Sequence, residues 1–261
     1  MSRLHVEIRG AGPDLVLLHG WALHGGMWGP WLDRLAGQAR LHVVDLPGHG
    51  HSPWSADVTD LGGLARCVLP LVPHGAAVLG WSLGGMVALE LARRHPQQLG
   101  SLVLVATTPR FVAGEGWEHG MRSDVLDEFA RGLASDYRRT VQVFLALQTT
   151  GDEHATQALR SLRGKLATRG EPDVRALDTG LGILRGADLR ESLARITQPA
   201  LVIAGERDRL TPPDAGRELA MHLPAARFSL IERAGHAPFL SHPDAVLTEL
   251  LPFLQRTRHE C

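Results

Sequence analysis

Short, unalternated apolar runs recur along the chain at Leu15–Leu18, Leu41–Val44, Ala76–Leu79, Leu102–Val105 and Ala200–Ala204, with glycine or proline near their ends. Strands buried on both faces of a parallel sheet read this way. Helical spacing lies between the runs. Leu83–His95 stops before Pro96, and Pro213–His222 and Pro243–Gln255 each begin on a proline, the residue suited to a first helical turn. A later run, Phe228–Ile231, follows the same strand pattern. Strands alternating with helices predict an α/β fold, a mostly parallel central sheet flanked by helices with right-handed crossovers.

The alternation breaks between Phe111 and Arg190. Asp124–Leu133, Tyr137–Gln148 and Glu153–Leu166 have amphipathic helical spacing there, and no strand-like run appears. A stretch of about 80 residues is too long for one crossover. The expected organisation is therefore a core of residues 1–110 and 191–261 with a helical cap of residues 111–190 inserted in it.

Composition narrows the class. Hydrophobic residues make up 44% of the 261, enough for a full core, and 27 basic residues against 28 acidic ones leave a net charge of −1. That balance disfavours a basic nucleic-acid binder. Cys67 and Cys261 cannot build a disulfide framework; Cys67 lies in an apolar run and reads as a small core residue. The opening MSRLHVEIRG lacks the apolar segment of a signal peptide, and no run approaches the roughly 20 apolar residues of a membrane span. The expectation is a cytoplasmic monomer.

Gly80-Trp81-Ser82-Leu83-Gly84 fits G-x-S-x-G. The pattern alone is weak, but a strand precedes it and a helix follows, the setting of a nucleophile elbow. The bland alternative is a glycine-rich turn whose serine caps the helix. A serine nucleophile needs a base, and the base an orienting carboxylate. Asp208 follows the Leu201–Ala204 strand and His236 follows Phe228–Ile231, giving the chain order serine, acid, histidine. Glu206 and Asp214 are rivals for the acid; Asp214 reads as first-turn helix charge. The oxyanion of a tetrahedral intermediate needs two amides. Leu83, next after the serine, and Trp21, in His19-Gly20-Trp21-Ala22, are the candidates. His49 and His51 have no third ligand at metal-site spacing and read as a structural turn. No cofactor fingerprint is present, so neither a metal nor a cofactor is expected.

LLHGW, DLPGHGHS, GWSLGG, GERDRLTP and AGHAPF, in this order, identify the chain as resembling the α/β-hydrolase superfamily. Within it, GWSLGG, the Phe144–Thr149 segment and GHAPFLSHP resemble the carboxylesterase family that demethylates pimeloyl-[acyl-carrier protein] methyl ester in biotin synthesis. The resemblance implies Ser82 as nucleophile, His236 as base and Asp208 as its orienter. It implies Trp21 and Leu83 at the reacting carbonyl, with Phe144, Leu145, Ala146, Leu147 and Gln148 lining an acyl channel. It also implies an acidic carrier protein as partner, met by cap arginines. Arg139 and Arg160 align with two expected positions, whereas Val143 and Thr156 depart from the pattern; neighbouring Arg138 and Arg163 are the compensating candidates. Arg138, Arg139, Arg160, Arg163, Lys165 and Arg169 together suggest a basic face. The core motifs equally fit a generalist short-chain esterase or another serine hydrolase, and a non-catalytic ligand receptor on the same scaffold is the more distant alternative.

Overall fold

The computed structural model describes residues 3–257; Cys261 lies outside the described residues. In chain order the elements begin β1 (Val6–Arg9), β2 (Asp14–Leu18), α1 (Trp31–Ala36), β3 (Arg40–Val44), α2 (Leu61–Val68), β4 (Ala76–Trp81), α3 (Leu83–Arg94) and β5 (Leu99–Val105). There follow α4 (Ser123–Gln148), α5 (Ala155–Leu166), α6 (Val174–Gly186), β6 (Ala200–Gly205), α7 (Pro213–His222), β7 (Ala226–Ile231), α8 (Pro238–Ser241) and α9 (Pro243–Thr257).

The seven strands form one sheet in the order β1-β3-β2-β4-β5-β6-β7. Every pairing is parallel except β1 with β3. The apolar runs are unalternated because both faces of the sheet are covered. Val16, Leu18, Val78, Leu102, Leu104 and Val202 share one apolar cluster with α2, α3 and α7 residues. Their chain neighbours Leu15, Leu17, Leu79, Val103, Leu201 and Ile203 share the other with α1 and α9. The two-residue period of a strand thus splits each run between two cores.

β1 escapes the apolar-run reading. Its residues, VEIR, are mostly half-buried, and Ile8 is exposed, because β1 is the antiparallel edge and has one covered face. Cys67 corrects a second expectation: it is half-buried on α2, packed against the core rather than inside it. No helix among the described residues is long and apolar enough to cross a membrane.

Between β5 and β6 the chain forms α4, α5 and α6 and no named strand. The expected helices Asp124–Leu133 and Tyr137–Gln148 join through a kink at Asp136, whose φ of −154° and ψ of 89° leave the helical region. The Asp136 carboxylate accepts the N–H of Arg139 at 3.0 Å, so the kink acts as an N-cap for the second half. The connection between α5 and α6 is tied back to the strands' side of the fold: Arg169 pairs with Asp45 at 3.2 Å and also with Glu7.

Candidate active site

Ser82, Asp208 and His236 follow the carboxyl ends of β4, β6 and β7, the end of an open α/β sheet where sites gather. Ser82 has φ 55° and ψ −118°, a strained conformation for a residue with a side chain. The turn closes only because the flanking positions lack Cβ atoms. One on Gly80 would lie 2.3 Å from the Gly84 carbonyl oxygen, and one on Gly84 would lie 2.2 Å from that of Leu18. The Ser82 hydroxyl does not cap α3, which removes the helix-capping alternative. Thr107 Oγ1 donates to the Ser82 carbonyl at 2.7 Å and braces the elbow from β5's far end.

Asp208 and His236 meet directly. His236 Nδ1 lies 2.7 Å from Asp208 Oδ2. The other oxygen, Oδ1, accepts the N–H groups of Leu210 at 2.8 Å and Thr211 at 3.0 Å. Thr211 Oγ1 donates to Oδ2 at 2.7 Å. An ionised carboxylate is satisfied by this set, and it fixes Nδ1–H as the donor on His236. Nε2 is buried and has no hydrogen-bond partner among the described residues. The imidazole therefore presents an unpaired acceptor, and no hydrogen bond joins it to the Ser82 hydroxyl among the described residues. Ser82 and His236 are 4% and 1% exposed, so the centre is largely shielded from bulk water. Of the rival acids, Glu206 instead accepts the N–H of Arg233 at 2.8 Å, and Asp214 sits in the first turn of α7.

The end of α4 and the turn after it hold the loop that carries His236. Gln148, at the end of α4, accepts the N–H of His236 on its backbone carbonyl at 2.9 Å. Asp152 Oδ2 accepts the N–H of Gly235 at 2.7 Å. Trp81 Nε1 donates to the His236 carbonyl at 2.8 Å. These partners were not singled out by motif, since the Gly235–Asp152 bond joins residues 83 apart in sequence.

The loop after β2 supplies the second wall. His19 Nε2 accepts the N–H of Leu46 at 2.9 Å, so Nδ1–H donates to the Gly20 carbonyl at 2.8 Å. Burial, with His49 beside it, pushes His19 down to about 3. Burial likewise pushes His49 down to about 4. His49 donates within its own turn, to the Pro47 carbonyl at 3.0 Å, as a structural role requires. Burial alone would raise Asp45, but His19, the N–H groups of His51 and Gly25, and Arg169 outweigh it and hold its carboxyl low. On this braced loop the backbone N–H of Trp21 has no acceptor among the described residues, and neither has that of Leu83. Leu83 adjoins the serine, and a Cβ on Gly20, just before Trp21, would lie 3.3 Å from Ser82 Cβ, so these two amides are the candidates for an oxyanion site.

The Trp21 indole donates to the Leu177 carbonyl of α6 at 2.9 Å. Gly180, one turn on, leaves room for it: a Cβ there would lie 2.5 Å from Trp21 Cδ1. Phe144 stands edge-on to Trp21 at 4.8 Å and to Phe129 at 5.6 Å. Phe129 and Leu147 in turn line an open cleft of about 550 Å³ at the α4 kink, with Arg139 also on its wall. The five expected channel residues therefore diverge. Leu147 lines the cleft, and Phe144 packs behind it against Phe129 and Trp21. Leu145 is fully buried in the opposite cluster with Leu162 and Phe239, because one helical step turns it away. Ala146 is half-buried, and its carbonyl accepts the Thr149 and Thr150 hydroxyls. The Gln148 side chain is buried with both amide atoms unpartnered.

The basic face is smaller than the sequence count implies. Arg169 points inward to Asp45 and Glu7. Lys165 is half-buried, and burial lowers its pKa. Arg138 pairs with Glu171 at 2.8 Å. Arg139, Arg160 and Arg163 are exposed and have no ion-pair partner among the described residues.

A family model described as the alpha/beta hydrolase fold matches residues 13–243, and the chain belongs to that family. It is a carboxylic ester hydrolase by its relatives and its fold. A pimeloyl-[acyl-carrier protein] methyl ester esterase of Xanthomonas campestris pv. campestris (strain B100) is 46% identical, covering 96% of this chain and 98% of that one. The protein of the same description from Stenotrophomonas maltophilia (strain K279a) is also 46% identical, covering 96% of each. Among solved structures, an esterase from Exiguobacterium antarcticum superimposes with a TM-score of 0.89 at 24% identity, covering 97% of this chain and 96% of that one; this likeness speaks for the fold.

Proposed function

We propose that this esterase removes methanol from the methyl ester of pimeloyl-[acyl-carrier protein], leaving the free carboxylate on the carrier, as a step of biotin synthesis. The observation that carries this reading is the 46% identity, over 96% of the chain, to proteins described as that esterase. In the proposed reaction His236 Nε2 takes the Ser82 proton as Oγ attacks the ester carbonyl. Charge on the carbonyl oxygen is met by the N–H groups of Trp21 and Leu83. His236 then protonates the departing methoxide, and methanol leaves an acyl-enzyme. Water, deprotonated by His236, attacks the acyl carbonyl; Ser82 regains its proton and the carboxylate is released. Asp208 keeps the imidazole in the tautomer this requires.

The cleft at Asp136 supports the substrate assignment. Its Phe129 and Leu147 walls, continued by Phe144 toward Trp21, offer apolar contact to the methylene chain. Helices α4–α6 act as a cap in this reading. Arg139 beside the cleft, with Arg160 and Arg163 on α5, supplies charge for an acidic carrier; Arg138, already paired with Glu171, contributes less. The reading includes a cytoplasmic monomer, consistent with exposed large apolar residues that lie singly on separate elements, Ile8, Val143, Val174, Met221 and Leu230 among them.

The test is mass spectrometry of carrier protein loaded with pimeloyl methyl ester, run beside p-nitrophenyl butyrate. Loss of one CH2 from the loaded carrier, weakened by Arg139→Glu with Arg160→Glu while small-ester cleavage persists, is the expected result. An unchanged carrier beside brisk p-nitrophenyl ester cleavage would make the protein a generalist esterase.

A further inference from the structure

Outside the active site, Glu153, His154 and His242 each bring one ligand atom to within 4.8 Å of the others. Glu153 and His154 stand just before α5, and His242 lies between α8 and α9. His242 Nε2 is 3.0 Å from Glu153 Oε1, and His154 Nε2 is 3.7 Å from the same oxygen. The two imidazole rings are 5.1 Å apart and tilted by 36°. The backbone under the cluster is already fixed. The N–H of Glu153 donates to the Arg233 carbonyl at 3.1 Å, and that of His154 to Asp152 Oδ1 at 2.7 Å.

We propose that Glu153, His154 and His242 form a binding site for a divalent cation of the zinc type. Two imidazoles and one carboxylate suit zinc, with a water completing a tetrahedron. Imidazole donors disfavour magnesium and calcium, which take oxygen. In the metal-free protein the His242 Nε2–H points at Glu153 Oε1, and the Ser241 hydroxyl lies 2.8 Å from Nδ1. The cation takes the place of the Nε2 proton. Nδ1 then carries the hydrogen and donates to Ser241 Oγ, the outer contact that orients a metal-bound histidine. The ring keeps its single hydrogen in this exchange, which moves from Nε2 to Nδ1, so His242 releases no proton. Arg233 Nη1 opposes the cation electrostatically, but it is held 2.9 Å from the other carboxylate oxygen, Oε2, and leaves Oε1 available.

The site joins the α4–α5 connection to the segment just past the catalytic histidine. Asp152, next to Glu153, already holds Gly235. A bound cation therefore adds a cross-link between the helical insertion and the chain that carries His236, without entering the reaction.

The experiment is calorimetric titration of the full, untagged chain with zinc chloride, with thermal unfolding followed in parallel. One zinc per chain is expected, raising the melting temperature by mass action. His154→Ala removes an exposed ligand with no core contact, so folding and basal ester cleavage remain; zinc binding weakens at least about tenfold and the thermal shift disappears. His242→Asn is expected to do the same. Absence of zinc uptake overturns the proposal. So does uptake of equal strength in both variants, which places the ion elsewhere.

Discussion

Gly235 donates its backbone N–H to Asp152 Oδ2 at 2.7 Å, so the residue before His236 is held by the connection between α4 and α5. Asp152 is buried. Removing its carboxylate strands a buried donor, at a cost of about 1–3 kcal/mol. Asp152→Ala is expected to lower kcat on a small ester by about tenfold, since about 1.4 kcal/mol is one decade. KM should change little, and Asp152→Asn, which keeps an acceptor, should recover most of the rate. Steady-state kinetics of the two variants decide it; an unchanged kcat in the alanine variant would show that the loop holds itself.

Ser82→Ala should abolish ester turnover and leave the fold unchanged. Alanine meets the same backbone strain as serine at φ 55°, and the Ser82 hydroxyl makes no hydrogen bond among the described residues that the variant would lose. Matching near-ultraviolet circular dichroism with residual p-nitrophenyl butyrate cleavage at background is the predicted pair. Retained turnover would remove Ser82 from the nucleophile's role.

Gly180→Ala sets two effects against each other. Alanine gains about 1 kcal/mol of helix propensity on α6. Its Cβ, however, meets Trp21 Cδ1 at 2.5 Å, and overpacking of this kind costs about 1–3 kcal/mol. The clash should win, lowering both the melting temperature and kcat/KM as Trp21 shifts. A variant that melts higher and works normally would mean that the indole has slack.

Acid sensitivity should trace to His49 and His19. Burial lowers them from 6.5 to about 4 and about 3 in the native state. Below pH 6.5 the unfolded chain takes up protons there that the native state refuses. Their contribution is therefore complete above about pH 6.5 and is lost as pH falls toward 4 and below. For His49 the full loss is on the order of 3 kcal/mol. His49→Asn keeps a donor toward the Pro47 carbonyl and removes the titration. Denaturant midpoints from pH 7 to pH 4 should fall less steeply in the variant; parallel curves would assign the acid loss elsewhere.

The parts of the fold that were legible are those whose environment is uniform. Strands β2 to β7 announce themselves because most have partners or helices on every side. β1 hides because its VEIR is an edge with one covered face. Helix α6 is hard to read from sequence because Gly180, Gly182 and Gly186 dilute its helical signal, yet a Cβ on Gly180 would meet Trp21. Ser82, Asp208 and His236 were readable because each follows a strand in a short local motif. Thr211, Asp152 and the turn of Leu145 away from the channel were not, for these depend on which distant surface a residue meets. Arg169 shows the same limit: as a charge it joined a basic face, whereas in space it reaches inward to Asp45.

β7 lies at the edge of the sheet, bonded to β6 alone, and it delivers His236 five residues beyond its end. Edge strands open more readily than the centre, by local fluctuations that leave the global fold intact. His236 thus follows a strand that amide exchange should find among the less protected, while Ser82 follows the protected middle of the sheet. The bonds from Gln148, Asp152 and Trp81 to Gly235 and His236 are then what keeps His236 in register when that edge breathes.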